Sequence, residues 1–160
     1  MFAMKSSLAI AALTLASLAQ PAFAQVNLQV FMWDVPATSE MAQDHKMGDG
    51  ANRLEDTMGI SVNATTVPAG KVTFNVVNVS TEMMHEMVVS KIDGPDAVLP
   101  YEQDIDRVDE ARIGTMGEVE AIDPGVSDVM TIDMQPGTYV LYCNLPGHYS
   151  SGMWMKIEVI

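Results

Sequence analysis

One cysteine in 160 residues is the first scarcity of this chain, and Cys143 has no internal partner. An intramolecular disulfide framework is excluded, as is any centre built on two thiolates. What stays open is an intermolecular bridge, a buried inert thiol or a metal ligand. Histidine is nearly as rare, with only His45, His85 and His148. Cations are scarce too: 8 Lys and Arg stand against 21 Asp and Glu, for a net charge of −13. Such a surface argues against binding nucleic acid or anionic lipid, and for basic partners met in fast, salt-sensitive encounters. Beyond the N-terminal segment no apolar run is long enough to span a bilayer, and there is neither an internal repeat nor a low-complexity tract.

What is present begins with an export signal. Lys5 supplies a positive start, Leu8 to Leu18 an apolar stretch too short for a comfortable span, and Ala22-Phe23-Ala24 a small-x-small cleavage pattern. Residues 1–24 are therefore expected to be a signal peptide, with Gln25 the first residue of the mature protein. Removing this segment, which carries one Lys and no acid, moves the net charge from −13 to −14. Residues 25–160 then form one domain, large enough to bury a core without staples. The mature chain is expected to be soluble, monomeric, and periplasmic or secreted.

Along this domain the pattern is mostly β. Residues 26–33 (VNLQVFMW) are rich in β-formers and predict a first strand. The stretch from Asp34 to Met58 is polar, broken by Pro36, Gly48 and Gly50, and reads as a long connection with a short helical turn over 40–46. Residues 60–67, a Pro68-Ala69-Gly70 turn and residues 71–79 predict strand, turn, strand, with Val72, Phe74 and Val76 on one face. Residues 84–92 make a further strand. Asp93 to Gly117 is an acidic insertion in which Tyr101, Ile105 and Val108 recur at helical spacing, predicting a short surface helix. Residues 126–134 alternate, with Met130, Ile132 and Met134 inward; strands at 138–143 and 153–160 follow. Short strands between Pro/Gly turns predict an all-β fold, an antiparallel β-sandwich.

The densest chemical signal is Cys143-Asn144-Leu145-Pro146-Gly147-His148 followed by Tyr149-Ser150-Ser151-Gly152-Met153. It places a soft thiolate, an imidazole and a thioether on one loop between two strands. Those donors suit a soft or borderline metal, and two His, one Cys and a weak axial Met make the set used in blue-copper electron transfer. The second imidazole must come from elsewhere. His85, at the head of a predicted strand after Asn78-Val79-Ser80, is the natural source, and His45 in the polar connection is the weaker one. A lone buried Cys is usually packing and a lone His before a strand usually structural. Their joint pattern, in a chain expected to be exported and holding no other Cys, points to a metal reading with His85, Cys143, His148 and Met153 as the candidates, and it is the family resemblance below that favours that reading over packing.

Residues 137–159 resemble the C-terminal ligand loop of cupredoxins, most closely the rusticyanin and sulfocyanin type, which share the Cys-x4-His-x4-Met spacing and the Pro-Gly before the His. Azurins are similar as far as His148. Residues 67–89 resemble the family as well. The resemblance implies a Greek-key β-sandwich with one type 1 copper ion at one end. It also implies that His148 lies near the surface as the electron exit, with Leu145, Pro146, Tyr149 and Trp154 as an apolar docking rim. One position departs from the pattern: where azurin-like relatives carry Asn after the first His and rusticyanin-like ones Ser, this chain has Glu86. That leaves open which groups hydrogen-bond the Cys143 sulfur, and so the redox potential.

The expected function is single-electron transfer, with a basic redox protein such as a cytochrome or an oxidase as partner, and no enzymatic activity. A copper oxidase or nitrite reductase needs several further His, and only His45 would remain; a hydrolase lacks a base beside a nucleophile. The rival is a periplasmic copper-binding or chaperone protein on the same fold. It is motivated by Met83, Met84 and Met87 around His85 and by the sparse Met41, His45, Met47 cluster, since thioethers bind Cu(I). Met is also flexible core filler, the reading preferred for Met130, Met134 and Met155.

Overall fold

The computed structural model describes residues 25–34 and 57–160. The signal segment 1–24, the helical turn over 40–46 and the Met41, His45, Met47 cluster lie outside the described residues. Two sheets face each other. In the first, β2 (Met58–Val62), β1 (Val26–Asp34), β4 (Gly70–Asn78) and β9 (Ser127–Met134) lie side by side in that order. The second runs β3 (Thr66–Val67), β11 (Trp154–Val159), β10 (Gly137–Tyr142), β5 (His85–Ile92) and β8 (Gly117–Ile122). The expected sandwich is therefore found, but its sheets are mixed, because β1 pairs with β4 and β3 with β11 in parallel.

Period-2 patterning explains which side faces in. On β4, Val72, Phe74 and Val76 are wholly buried, and on β1 Leu28, Val30 and Met32 are too. They meet Met87, Val89, Tyr139, Leu141, Met155 and Ile157 from the second sheet in one core. On β9, Ile132 and Met134 are buried while Val129 is 59 % exposed, as the alternation requires.

Three local expectations change. The strand expected over 60–67 is two strands, because the chain leaves the first sheet at Val62 and joins the second at Thr66. Asn63 marks the crossing, its side-chain oxygen accepting from the Gln29 amide at 2.9 Å. The insertion carries no helix through Tyr101, Ile105 and Val108. Those residues instead form a hairpin of β6 (Tyr101–Glu102) and β7 (Arg107–Val108), with Tyr101 opposite Val108 and Asp106 in the left-handed region at φ 56°. Pairing across the turn brings Tyr101 and Val108 together, which the helical spacing imitates, while Ile105 stays exposed. The insertion's helix is α1 (Glu110–Ile113), capped by the Asp109 side chain on the Arg112 amide. The third change is β8, a strand over residues for which no strand is expected from the sequence.

This hairpin and helix cover the outer face of the second sheet. Leu99, Val108, Val140 and Tyr142 are buried there in a second apolar cluster, with Tyr101, Tyr149 and Trp154 packed against it. The insertion thereby sits beside the loop between β10 and β11.

Candidate metal centre

The loop from Cys143 to Met153 is held by its own backbone. The Cys143 amide donates to the Met153 carbonyl at 3.0 Å, and the Met153 amide to the His148 carbonyl at 3.0 Å. All three candidate donor residues of the loop thus share one hydrogen-bonded frame, closed by the pairing of Tyr142 with Trp154. Gly147 turns the chain at φ 82° and packs against Asp106, whose carbonyl accepts the Gly147 amide at 2.9 Å. A side chain at Gly147 would be strained by that φ and would bring its Cβ to 3.1 Å from the Asp106 carboxylate.

The fourth residue arrives on β5. Asn78 and Ser80, both buried, organise the approach to it: the Asn78 amide donates to the carbonyls of Met83 at 2.8 Å and Ile122 at 2.9 Å. The Ser80 hydroxyl accepts from the amides of Glu82 and Met83. His85 then opens the strand opposite Ile122. Between that pair and Met87–Val119, β5 advances two residues and β8 three, a bulge opposite Glu86.

These elements bring His85, Cys143 and His148 together, all buried, with their potential donor atoms within 4.8 Å of one another. The His148 Nδ1 lies 3.3 Å from both the Cys143 sulfur and the His85 Nδ1. The imidazole rings meet edge-on at 5.1 Å between centroids. His85 is fully buried and His148 is 8 % exposed, which puts His148 on the solvent side. Met153 is wholly buried in the same core cluster as Cys143, with Leu145 against it.

Electrostatics favours neutral donors. Burial lowers the pKa of His85, opposed by the hydrogen bond to Asp34, and lowers that of His148, aided by neighbouring His85. Burial also pushes the Cys143 thiol up to about 12, against backbone amides of Glu86 and Leu145 that favour the thiolate. Two neutral imidazoles and a thiol turned toward one small buried space are chemically complementary to a cation, which would deprotonate the thiol outright. The donor set fits copper.

The environment of the sulfur is also defined at Glu86. Its backbone amide, not its side chain, points at the Cys143 sulfur, 3.5 Å away. The Glu86 carboxylate accepts instead from the backbone N–H of Asn144; burial raises its pKa, and that hydrogen bond and Arg107 oppose the rise. The departure at this position therefore still ties β5 to the ligand loop.

Two groups of residues were missed from sequence. Asp34, at the end of β1, lies 3.1 Å from the His85 Nε2, with its side chain 14 % exposed. No local motif could have revealed it, since its partner is 51 positions away. Asn144 sits inside the recognised motif, yet its bonds to Val108 and Glu110 depend on the insertion's fold. Of the remaining candidates, Met87 is core, whereas Met83 and Met84 are exposed. Pro146 is exposed and Leu145 half-buried, while Tyr149 and Trp154 pack toward the insertion. His45 lies outside the described residues.

Comparison with known proteins agrees with this geometry. The sequence matches the family model of copper-binding proteins of the plastocyanin/azurin family over residues 48–160. Similar solved structures include a dithionite-reduced auracyanin from Roseiflexus castenholzii, 20 % identical, covering 87 % of this chain and 98 % of that one, with a TM-score of 0.51. Rusticyanin from Thiobacillus ferrooxidans is 18 % identical over 87 % of this chain and 79 % of its own, with a TM-score of 0.56. Auracyanin B is 20 % identical over 89 % and 93 %, with a TM-score of 0.56. No curated protein sequence matches significantly. The structural likenesses, at these identities, speak for the cupredoxin sandwich.

Proposed function

This chain belongs to the plastocyanin/azurin family of copper-binding proteins, and from that premise we propose that it carries single electrons between redox partners through one type 1 copper ion held by His85, Cys143, His148 and Met153. The observation that carries the reading is the buried convergence of two imidazole nitrogens and one sulfur within 4.8 Å. Met153 joins the set because it is buried beside Cys143 and hydrogen-bonded to the loop through its own backbone.

Bound copper would supply the one-electron couple. The protein's part is to hold the donors still in both oxidation states. Adjacent strands β5, β10 and β11 of the second sheet fix His85 and the ends of the ligand loop, and the loop's internal hydrogen bonds fix the rest, so little needs to move when an electron passes. The amides of Glu86 and Leu145 drain charge from the sulfur. His148, on the solvent side, offers the shortest way out. After His85 and His148 the chain retains only His45 to hold more copper, which favours a carrier over a multicopper enzyme. The N-terminal pattern supports export to the periplasm or beyond, and the acidic surface supports a basic docking partner. No helix among the described residues is long and apolar enough to cross a membrane.

The visible spectrum tests the assignment. Cu(II)-loaded protein is expected to be intensely blue or green from thiolate-to-copper charge transfer, and Cys143→Ser to be colourless. A colourless Cu(II) form of the unaltered protein overturns it. A copper-handling role is the second reading, favoured by the exposure of Met83 and Met84, at 37 % and 46 %, directly before His85. A carrier keeps its copper through repeated redox cycles; a chaperone gives up Cu(I) to a competing acceptor.

A further inference from the structure

We infer that Asp34 is the positioning residue for His85: its carboxylate accepts the Nε2–H, commits the Nδ1 lone pair to the metal, and places a fixed negative charge beside the centre. The inference rests on the reading of His85 as a copper ligand.

The geometry is specific. The Asp34 Oδ1 lies 3.1 Å from the His85 Nε2, while the His85 Nδ1 faces His148 on the other side of the ring. An imidazole that is neutral carries one ring proton, and a carboxylate acceptor at one nitrogen fixes that proton there. The nitrogen left with a free lone pair is then the one turned toward Cys143 and His148. Without such an acceptor the ring could place its proton on Nδ1 and cease to be a donor.

Asp34 reaches this position from the opposite sheet. It is the last residue of β1, paired with Met58, whereas His85 opens β5 in the second sheet. The contact therefore pins the two sheets together at the end of the sandwich where the donors lie. Its cost is modest, because Asp34 keeps part of its side chain in water while its partner is fully buried. A full negative charge one imidazole away from a copper ion favours Cu(II) over Cu(I), so the carboxylate holds the potential lower than a neutral acceptor would.

Two variants separate position from charge. Asp34→Asn keeps an oxygen acceptor and removes the charge; Asp34→Leu removes both. In metal-free, nitrogen-15-labelled protein at neutral pH, His85 is expected as the Nε2–H tautomer. Asp34→Asn should preserve that tautomer and shift the copper couple toward Cu(I) by about tenfold, which is about 59 mV upward for one electron. Asp34→Leu should give a tautomer mixture and weaken copper binding roughly 10- to 100-fold. An Nδ1–H tautomer in the unaltered protein overturns the inference, as does a folded Asp34→Asn protein with unchanged potential. Should Asp34→Leu fail to fold, Asp34→Asn and the tautomer decide alone. Failure of the copper reading is recognised separately, by an unaltered protein that forms no coloured Cu(II) complex. The charge effect then falls with it, while the tautomer still reports on the Asp34 contact.

Discussion

Met153 brings a thioether, a poor donor for Cu(II) and an acceptable one for Cu(I), into a wholly buried position next to Cys143. Such a group tunes a metal more than it retains one. Met153→Gln, with a harder oxygen donor, is expected to keep copper and lower the reduction potential. Met153→Leu should also keep copper and raise it, each change amounting to roughly one to two decades in relative Cu(II)/Cu(I) preference, about 60–120 mV. Voltammetry of the two variants checks this. Loss of copper from both would make Met153 a structural part of the site, and unchanged potentials would move attention to buried Met155 two residues along. At this scale the sequence was informative where candidate donors are neighbours. Cys143, His148 and Met153 share one loop, so their spacing already states their proximity. Asp34 and the Glu86 amide were not legible, because both act on partners more than fifty positions away, Asp34 from the opposite sheet and Glu86 from the neighbouring strand.

The insertion between β5 and β8 shows how an element can be read correctly as present and wrongly in form. Its acidic, breaker-rich composition marks it as a surface addition, but spacing alone cannot distinguish residues four and three apart on a helix from residues facing each other across a hairpin. What it does for the site emerges only from its bonds. Asn144, 3 % exposed, accepts from the Val108 amide at 2.6 Å and donates to the Val108 carbonyl at 3.0 Å and the Glu110 carboxylate at 2.7 Å. The Asp106 carboxylate receives the hydroxyls of Tyr101 and Ser150. Asn144→Ala leaves a buried amide and carbonyl of Val108 without these partners, at a cost of about 1–3 kcal/mol for an unsatisfied group. Denaturant unfolding should register that loss at unchanged slope, and the coloured copper band should broaden or shift as the loop loosens. A variant as stable as the parent would show that the hairpin merely rests against the loop. β8 escaped notice for a related reason: Val119 is its one buried apolar side chain, too little alternation to announce a strand.

Over the whole molecule, core and charge are separable. Alternation on β4 and β9 predicted the inner face of the first sheet, and the sandwich follows once two such faces need covering. The parallel pairings were not legible, since strand direction depends on connections rather than on patterning. The surface balance, 21 acids against 8 cations, makes a different demand. Electron exchange with a basic redox protein should slow steeply with salt, by roughly tenfold or more as the screening length contracts from about 30 Å at 0.01 M to about 8 Å at 0.15 M. Stopped-flow rates across that range test it; rates that are flat or rise with salt would mean docking through a patch that ignores the net charge.

The order of synthesis adds a consequence. The candidate ligand loop hangs between β10 and β11, and β11 is made after every other described strand, yet it must slot between β10 and β3. Its arrival also sets the Met153 backbone against Cys143 and His148. A nascent chain that has produced the first sheet and β5 therefore has His85 without the other candidate donors. The candidate donors are brought together only once β11 is laid in, so a chain still short of that strand presents no finished trap for stray metal ions.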